Sequence, residues 1–357
     1  MKNILLLFTV ALAFMSCGNS QKKEGNMKLS GAGATFPAPF YTIVFKEYAK
    51  ASGNEVMYGG IGSGGGIRSL QDKTVDFGAT DVFLSDKEMK AMEGDIIHIP
   101  TAMGAVVLSY NLKDVKELKL NAGLVSAIYR GEIKNWNDPK IKELNPEATF
   151  PNKGITPVYR SDGSGTTAVF SEYMSKVDPA WEEVIGEGKS LQFPAGIAAK
   201  GNPGVAGIIA ETDGSIGYIG SEYALALNIP SALMQNSSGH FVKADGKHIS
   251  ASANVDIPGD TRVVITNSPD PDAYPVSTFT WIIAYKEQSY NKRTEANAKA
   301  LVSLLDYITG TEGQNIATKT YYAPLSPTAL EKTKAIIHSM TYNGKTLSDN
   351  EDAAINP

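Results

Sequence analysis

The chain has one cysteine in 357 residues, so no disulfide can form within it. Histidine is scarce as well. His98, His240, His248 and His338 are scattered, lie outside the glycine-rich motifs and show no metal-ligand spacing. No metal and no cofactor are expected. There is no basic cluster and the formal charge is −5 at pH 7, which argues against a nucleic-acid partner. Past the first residues, no apolar run is long enough to span a bilayer. A bound anion would have to be held by local dipoles and one or two placed cations, because bulk charge is of the wrong sign.

The first residues do contain an apolar run. Lys2 precedes Ile4 to Phe14, and Ser16 and Cys17 follow. That is the layout of a secretory signal peptide, too short to cross a membrane. Cys17 also resembles the lipid-acceptor cysteine of a bacterial lipoprotein signal, although Phe14 and Met15 stand where a strict lipobox prefers Leu and a small residue. A lone thiol in an oxidising compartment is a liability that thioether lipidation removes. The alternative is a plain cleavable signal in which Cys17 is incidental. Residues 1–16 are therefore read as signal peptide, and 17–27 as the lipidated Cys17 with a polar tether. Cleavage removes Lys2 and no acid, making the chain one unit more negative. The expected location is the cell envelope, with a lipid anchor on the extracytoplasmic side of a bacterial membrane.

About 340 mature residues exceed one ordinary core, which predicts two lobes. The runs 54–58, 75–79 and 105–110 read as short strands bounded by glycine. Phe40, Ile43, Val44 and Tyr48 share one helical face behind Pro37 and Pro39, and Val169, Phe170, Tyr173, Met174 and Val177 form a second stripe. A third helix is expected from Ser63, carrying Ile67 and Leu70. Alternation of this kind predicts an α/β fold with a largely parallel sheet. The stretch 186–277 has weaker periodicity and reads as loops and short elements. Residues 278–285 read as a strand and 296–308 as an amphipathic helix. Gly214 to Tyr218 is expected to close a turn, and the Trp136 region to serve turn and packing.

Three segments repeat one design, a glycine turn with Ser or Thr leading into a helix. They are Gly31 to Phe36, Gly60 to Gly66 and Arg160 to Thr167. A helix start leaves backbone N–H groups unpaired and carries about half a positive charge. Glycine lets an anion approach that backbone, and the hydroxyls add donors. Any one such segment alone is more often an ordinary capped turn. Three in one chain, one of them led by Arg160, favour an anion site. No lysine completes a nucleotide P-loop. Arg160 offers a planar fork for two oxygens, and Asp162 is placed to hold it. An ordinary surface Arg–Asp pair is the plainer alternative.

The stretches 31–41 (GAGATFPAPFY), 58–70 (YGGIGSGGGIRSL), 74–81 (TVDFGATD), 128–141, 160–170 (RSDGSGTTAVF), 201–207 (GNPGVAG) and 214–219 resemble, in order and spacing, the phosphate-binding proteins of bacterial phosphate-specific ABC transporters. The resemblance covers essentially the whole mature chain. It implies a two-lobed periplasmic-binding-protein fold (type II-like) with a hinge crossed by the chain, one lobe built from 28–105 and 273–357 and the other from 106–272. It further implies a phosphate buried between the lobes. Thr35, Phe36, Ser63 and Asp81 would serve it from the first lobe, and Arg160, Ser164, Gly165 and Thr166 from the second, with Asp162 orienting Arg160. Gly64 stands where relatives often carry a second serine. The implied partners are inorganic phosphate, the membrane permease of the transporter and the membrane itself, with the receptor a monomer.

Asp81 would name the ligand. A carboxylate beside an anion repels it unless the anion carries a proton to donate. Phosphate keeps one near neutral pH and sulfate does not. Taken without the family, TVDFGATD yields only a strand end with an N-cap Asp. Two other classes remain as alternatives: a phosphate-handling hydrolase, disfavoured because Ser164 has no paired base and no Gly-x-Ser-x-Gly spacing, and a binder of a related oxyanion. An adhesive lipoprotein on the same fold would be marked by degraded cleft residues, and none is degraded. Affinity is expected to depend weakly on salt, since the anion would sit among buried dipoles.

Overall fold

The computed structural model describes residues 26–348. The predicted signal peptide, Cys17 and the tether up to residue 25 lie outside them. The chain begins as a β-α-β-α-β run: β1 (Lys28–Gly33), α1 (Ala38–Ser52), β2 (Glu55–Gly60), α2 (Ser63–Gln71) and β3 (Phe77–Thr80). β1 pairs in parallel with β2 and with β3. α1 starts on Pro37 without a side-chain cap, since proline needs no N–H there, and ends on left-handed Gly53. Of its predicted stripe, Phe40, Val44 and Tyr48 are buried, but Ile43 at the edge of that face is exposed. α2 lies so close to β1 that a Cβ on Gly66 would fall 2.5 Å from the Ala32 carbonyl oxygen. Only glycine permits that approach, and it brings the start of α2 beside the end of β1.

After α3 (Asp86–Ala91) comes β4 (Ile96–Tyr110), fifteen residues long. Then follow β5 (Lys119–Leu120), α4 (Ala122–Tyr129), α5 (Pro139–Leu144), β6 (Thr156–Arg160), α6 (Gly165–Val177), α7 (Pro179–Val184), β7 (Ile197–Ala199), α8 (Gly201–Glu211), β8 (Ser215–Gly220) and α9 (Ser221–Ala226). Two short strands and a helix lead to β11 (Ser277–Tyr285), and α11 (Glu295–Thr309) heads the C-terminal helices. The main sheet runs β2-β1-β3-β11-β4-β8-β6-β7.

Strand direction places the site. β4 pairs antiparallel with β11 over its first ten residues and with β8 over its last five, the change falling between Ala105 and Val106. β1, β2 and β3 run toward that point. β6, β7 and β8 run toward it from the other side, because β8 is antiparallel to β4 and parallel to β6. The carboxyl ends of both parallel sets therefore face one another, and those ends are where α/β sheets present loops to ligands.

Several expectations change. The sheet is mixed rather than largely parallel, because β4 and β11 run antiparallel to their neighbours. β4 begins nine residues before the predicted 105, hidden by near-continuous burial and by Pro100, which is tolerated at an irregularity opposite Thr280 and Trp281. Gly214 is a turn, but Ser215 to Gly220 is a buried central strand. The loop-like stretch 186–277 contains this strand and the eleven-residue α8. Trp136 is packing, as expected: it is fully buried and its indole N–H donates to the Gly214 carbonyl at 2.9 Å. In the same half, Phe170 stacks on Tyr218 with ring centroids 4.6 Å apart, and Tyr129 and Trp181 pack edge-on to Phe170. Among the described residues no helix is long and apolar enough to cross a membrane.

Candidate anion-binding site

Thr35 ends the turn after β1 and is nearly buried. Its hydroxyl oxygen accepts from the Asn202 backbone N–H at 3.0 Å and from the Asn202 side-chain amide at 3.1 Å. Phe36 heads toward α1 with its ring sealed edge-on against Tyr322, while its carbonyl accepts from the Tyr322 hydroxyl at 2.5 Å. The side chain of Phe36 is thus committed to the core, and only its backbone is left for a ligand. Ser63 is the first residue of α2, fully buried, and its hydroxyl oxygen faces the Asp81 N–H at 3.4 Å.

Asp81 lies just beyond β3 and is 1% exposed. It caps no helix: α3 begins five residues later on a Ser85–Glu88 capping box, which corrects the N-cap reading of Asp81. One carboxylate oxygen accepts from the Thr280 hydroxyl at 3.0 Å. Burial pushes the Asp81 carboxyl up to about 7, against the lowering effects of the Thr280 hydrogen bond, the Arg160 charge and Ser63.

From the facing side, Arg160 ends β6 with its guanidinium almost fully buried. Asp162 grips it in a fork, Nε to Oδ1 at 2.8 Å and Nη2 to Oδ2 at 2.6 Å. The third nitrogen, Nη1, points to the Thr166 hydroxyl at 3.3 Å. Burial pushes the Asp162 carboxyl upward, but the Arg160 pair and the Gly201 N–H outweigh it, and the carboxyl is held below its ordinary value. Removing one partner of such a buried pair leaves an uncompensated charge, at a cost of about 3–5 kcal/mol.

Ser164 is the N-cap of α6, accepting from the Thr167 N–H at 2.9 Å. Such a cap contributes about 1 kcal/mol and leaves the hydroxyl proton available for donation. Gly165 follows, and a Cβ there would stand 2.3 Å from the Ser63 hydroxyl oxygen and 2.6 Å from an Asp81 carboxylate oxygen. Thr166 is buried one residue on.

All eight residues expected to line the site converge on the meeting point of the strand ends, with Asp162 behind Arg160. Two facing helix starts, four hydroxyls, one forked cation and one buried carboxyl surround it. The arrangement suits a small tetrahedral oxyanion bearing at least one proton. Beside Asp81 a cavity of about 650 Å³ continues between α3 and α6, lined by Phe83, Val169, Val263 and Trp281.

Residues 19–312 match the PBP superfamily domain. The chain is 36% identical over 321 residues to the phosphate-binding protein PstS of Xylella fastidiosa, with 88% of this chain and 86% of that one covered. The chain belongs to the phosphate-binding protein family. Among solved structures, members of lower identity share its fold. The phosphate-binding protein of Stenotrophomonas maltophilia superposes with a TM-score of 0.65 at 17% identity, covering 87% of this chain and 93% of that one. An ABC-type phosphate transport receptor from Vibrio cholerae gives 0.54 at 14% identity, covering 84% and 100%.

Three residues at the site escaped sequence reasoning. Asn202 lay inside the quoted GNPGVAG stretch without a role. Thr280 was hidden in an apolar strand, and Tyr223, whose hydroxyl donates to the Thr35 carbonyl at 2.6 Å, sat in a weakly periodic region. The one available signal was a polar side chain at the second position of a glycine-led helix, as Asn202 is.

Proposed function

We propose that this chain binds inorganic phosphate outside the cytoplasm and hands it to the permease of an ABC transporter. One lobe comprises 28–105 and 273–348 and the other 106–272, hinged where β4 changes partner. Phosphate enters the cleft and is taken by Thr35, Phe36, Ser63 and Asp81 on one side and by Arg160, Ser164, Gly165 and Thr166 on the other. Asp162 fixes the Arg160 fork. The permease recognises the closed form, and lipidated Cys17 keeps the receptor, a monomer, at the membrane surface. The names of the relatives support the ligand and the transport role.

The observation that carries the reading is Asp81, a buried carboxyl facing Ser63 and Gly165, opposite Arg160. It rewards a ligand that still has a proton to share. Binding without turnover is supported by the role of Ser164 as the N-cap of α6, its proton free to be donated to an anion. Calorimetric titration with phosphate, sulfate and a phosphoester tests this. Tight binding of phosphate, weak binding of sulfate at pH 8 and no sustained release from a chromogenic phosphoester are expected. Sustained release would make the protein a hydrolase, and equal affinity for sulfate would remove the proton-sharing role.

A further inference from the structure

Asn202 is the second residue of α8, is fully buried, and touches both sides of the cleft at once. Its side-chain amide donates one proton to the Thr35 hydroxyl oxygen at 3.1 Å and the other to the Thr166 hydroxyl oxygen at 3.0 Å. Its backbone N–H donates to Thr35 again at 3.0 Å, and its side-chain amide oxygen, Oδ1, accepts from the Gly220 N–H at 3.0 Å. The donor at Thr166 is joined by Arg160 Nη1 at 3.3 Å.

A hydroxyl has two lone pairs and one proton. At Thr35 both lone pairs are taken by Asn202. At Thr166 one is taken by Asn202 and one by Arg160. Neither oxygen has room to accept anything more, so each proton can only be donated outward. We propose that Asn202 is a positioning residue of the anion site: it turns the hydroxyls of Thr35 and Thr166 into obligate donors, one from each side of the cleft.

The consequence is chemical selectivity. A hydroxyl free to rotate serves a donor or an acceptor equally well. A hydroxyl whose lone pairs are filled serves only an acceptor, and that of Thr166, on the same wall as Asn202, is ordered before the ligand arrives. Two such hydroxyls on opposite walls favour an oxyanion over a ligand that would present N–H or O–H groups there. The Gly220 contact holds the amide from flipping, because its oxygen already has a donor.

This inference rests on the reading that Thr35 and Thr166 face bound phosphate, and one calorimetric cycle separates the two. Inorganic phosphate is titrated into the full chain, into Asn202→Ala, into Thr35→Val/Thr166→Val and into the triple variant. Asn202→Ala is expected to weaken binding about tenfold in the unsubstituted chain and by less than twofold when the two hydroxyls are already gone. Asn202→Asp, which keeps the volume and the Gly220 contact, should weaken it further than Asn202→Ala, since its carboxylate captures both hydroxyl protons. That variant also carries the cycle if the alanine variant does not fold, with the loss again severalfold smaller in the double-valine background, where only charge repulsion remains. Equal losses in both backgrounds, or no loss at all, would overturn the positioning role alone. No phosphate binding by the unsubstituted chain would overturn the site reading and the inference with it.

Discussion

With its carboxyl pushed up to about 7 by burial, Asp81 gains or loses its proton close to neutral pH. Below pH 7 it is mostly neutral and can donate to an anion; above, it is a carboxylate and can only accept. Phosphate suits either state, because it keeps a proton of its own when Asp81 has none. Sulfate suits only the protonated state. If sulfate binds the neutral form alone, its affinity scales with the protonated fraction, and lowering the pH from 8.5 to 6 should tighten it roughly thirtyfold. Phosphate affinity should change far less over that range. Competition titrations at the two pH values measure both, and a sulfate affinity flat with pH would mean Asp81 does not meet the ligand. Replacing Asp81 by alanine should cost phosphate about 1.5–3 kcal/mol, roughly tenfold to a hundredfold in affinity, and narrow the preference over sulfate at pH 8. At this scale the sequence was informative where a motif carried the chemistry, as with Arg160 and Asp162. It was silent on Thr280 and Asn202, whose contacts join positions 199 and 167 residues apart.

Among the elements, α6 shows how helix stability and binding can be pulled apart. Its first residue, Gly165, has ordinary helical geometry, so alanine there suits the helix and should leave the melting temperature of the ligand-free protein unchanged or higher. The same Cβ collides with Ser63 and Asp81 on the opposite wall. Gly165→Ala is therefore expected to weaken phosphate binding by at least tenfold without destabilising the fold, read by calorimetry beside thermal melting. A variant that melts early would show that Gly165 serves the helix itself. The capped, glycine-led helices were legible because caps and apolar stripes are local signals. β8 and the first nine residues of β4 were not, since a strand buried on both faces loses the alternation that marks an edge, and Pro100 reads as a break. The antiparallel course of β4 and β11 depends on pairing between distant segments, which no window of sequence contains.

Across the whole molecule, the contacts that join the two walls differ in weight, with buried and part-buried hydrogen bonds running from Asn202 and Tyr223 to Thr35. Lys189 and Glu88 form an ion pair of 2.7 Å, but both side chains are partly exposed, and such pairs are worth at most about 1 kcal/mol. The Gly64 N–H donates to the Gly163 carbonyl at 2.9 Å, a single backbone bond between the start of α2 and the loop before α6. These two add little to the three hydrogen bonds at Thr35, each worth about 1 kcal/mol net, so the proposed closed state should still need the ligand. The amide of Gly64 reports this directly, because its partner is lost as soon as the walls separate. Ligand at a hundred times its dissociation constant stabilises the bound state by about 2.7 kcal/mol, so exchange of that amide should slow by about a hundredfold when phosphate is added. Hydrogen exchange resolved at Gly64, with and without phosphate, measures it. If protection is already complete without ligand, the walls are closed by the protein's own contacts, and phosphate must enter by another route, such as the cavity beside Asp81. If it stays low with phosphate bound, the anion is held by one wall, and Arg160 and Asp81 do not act on it together.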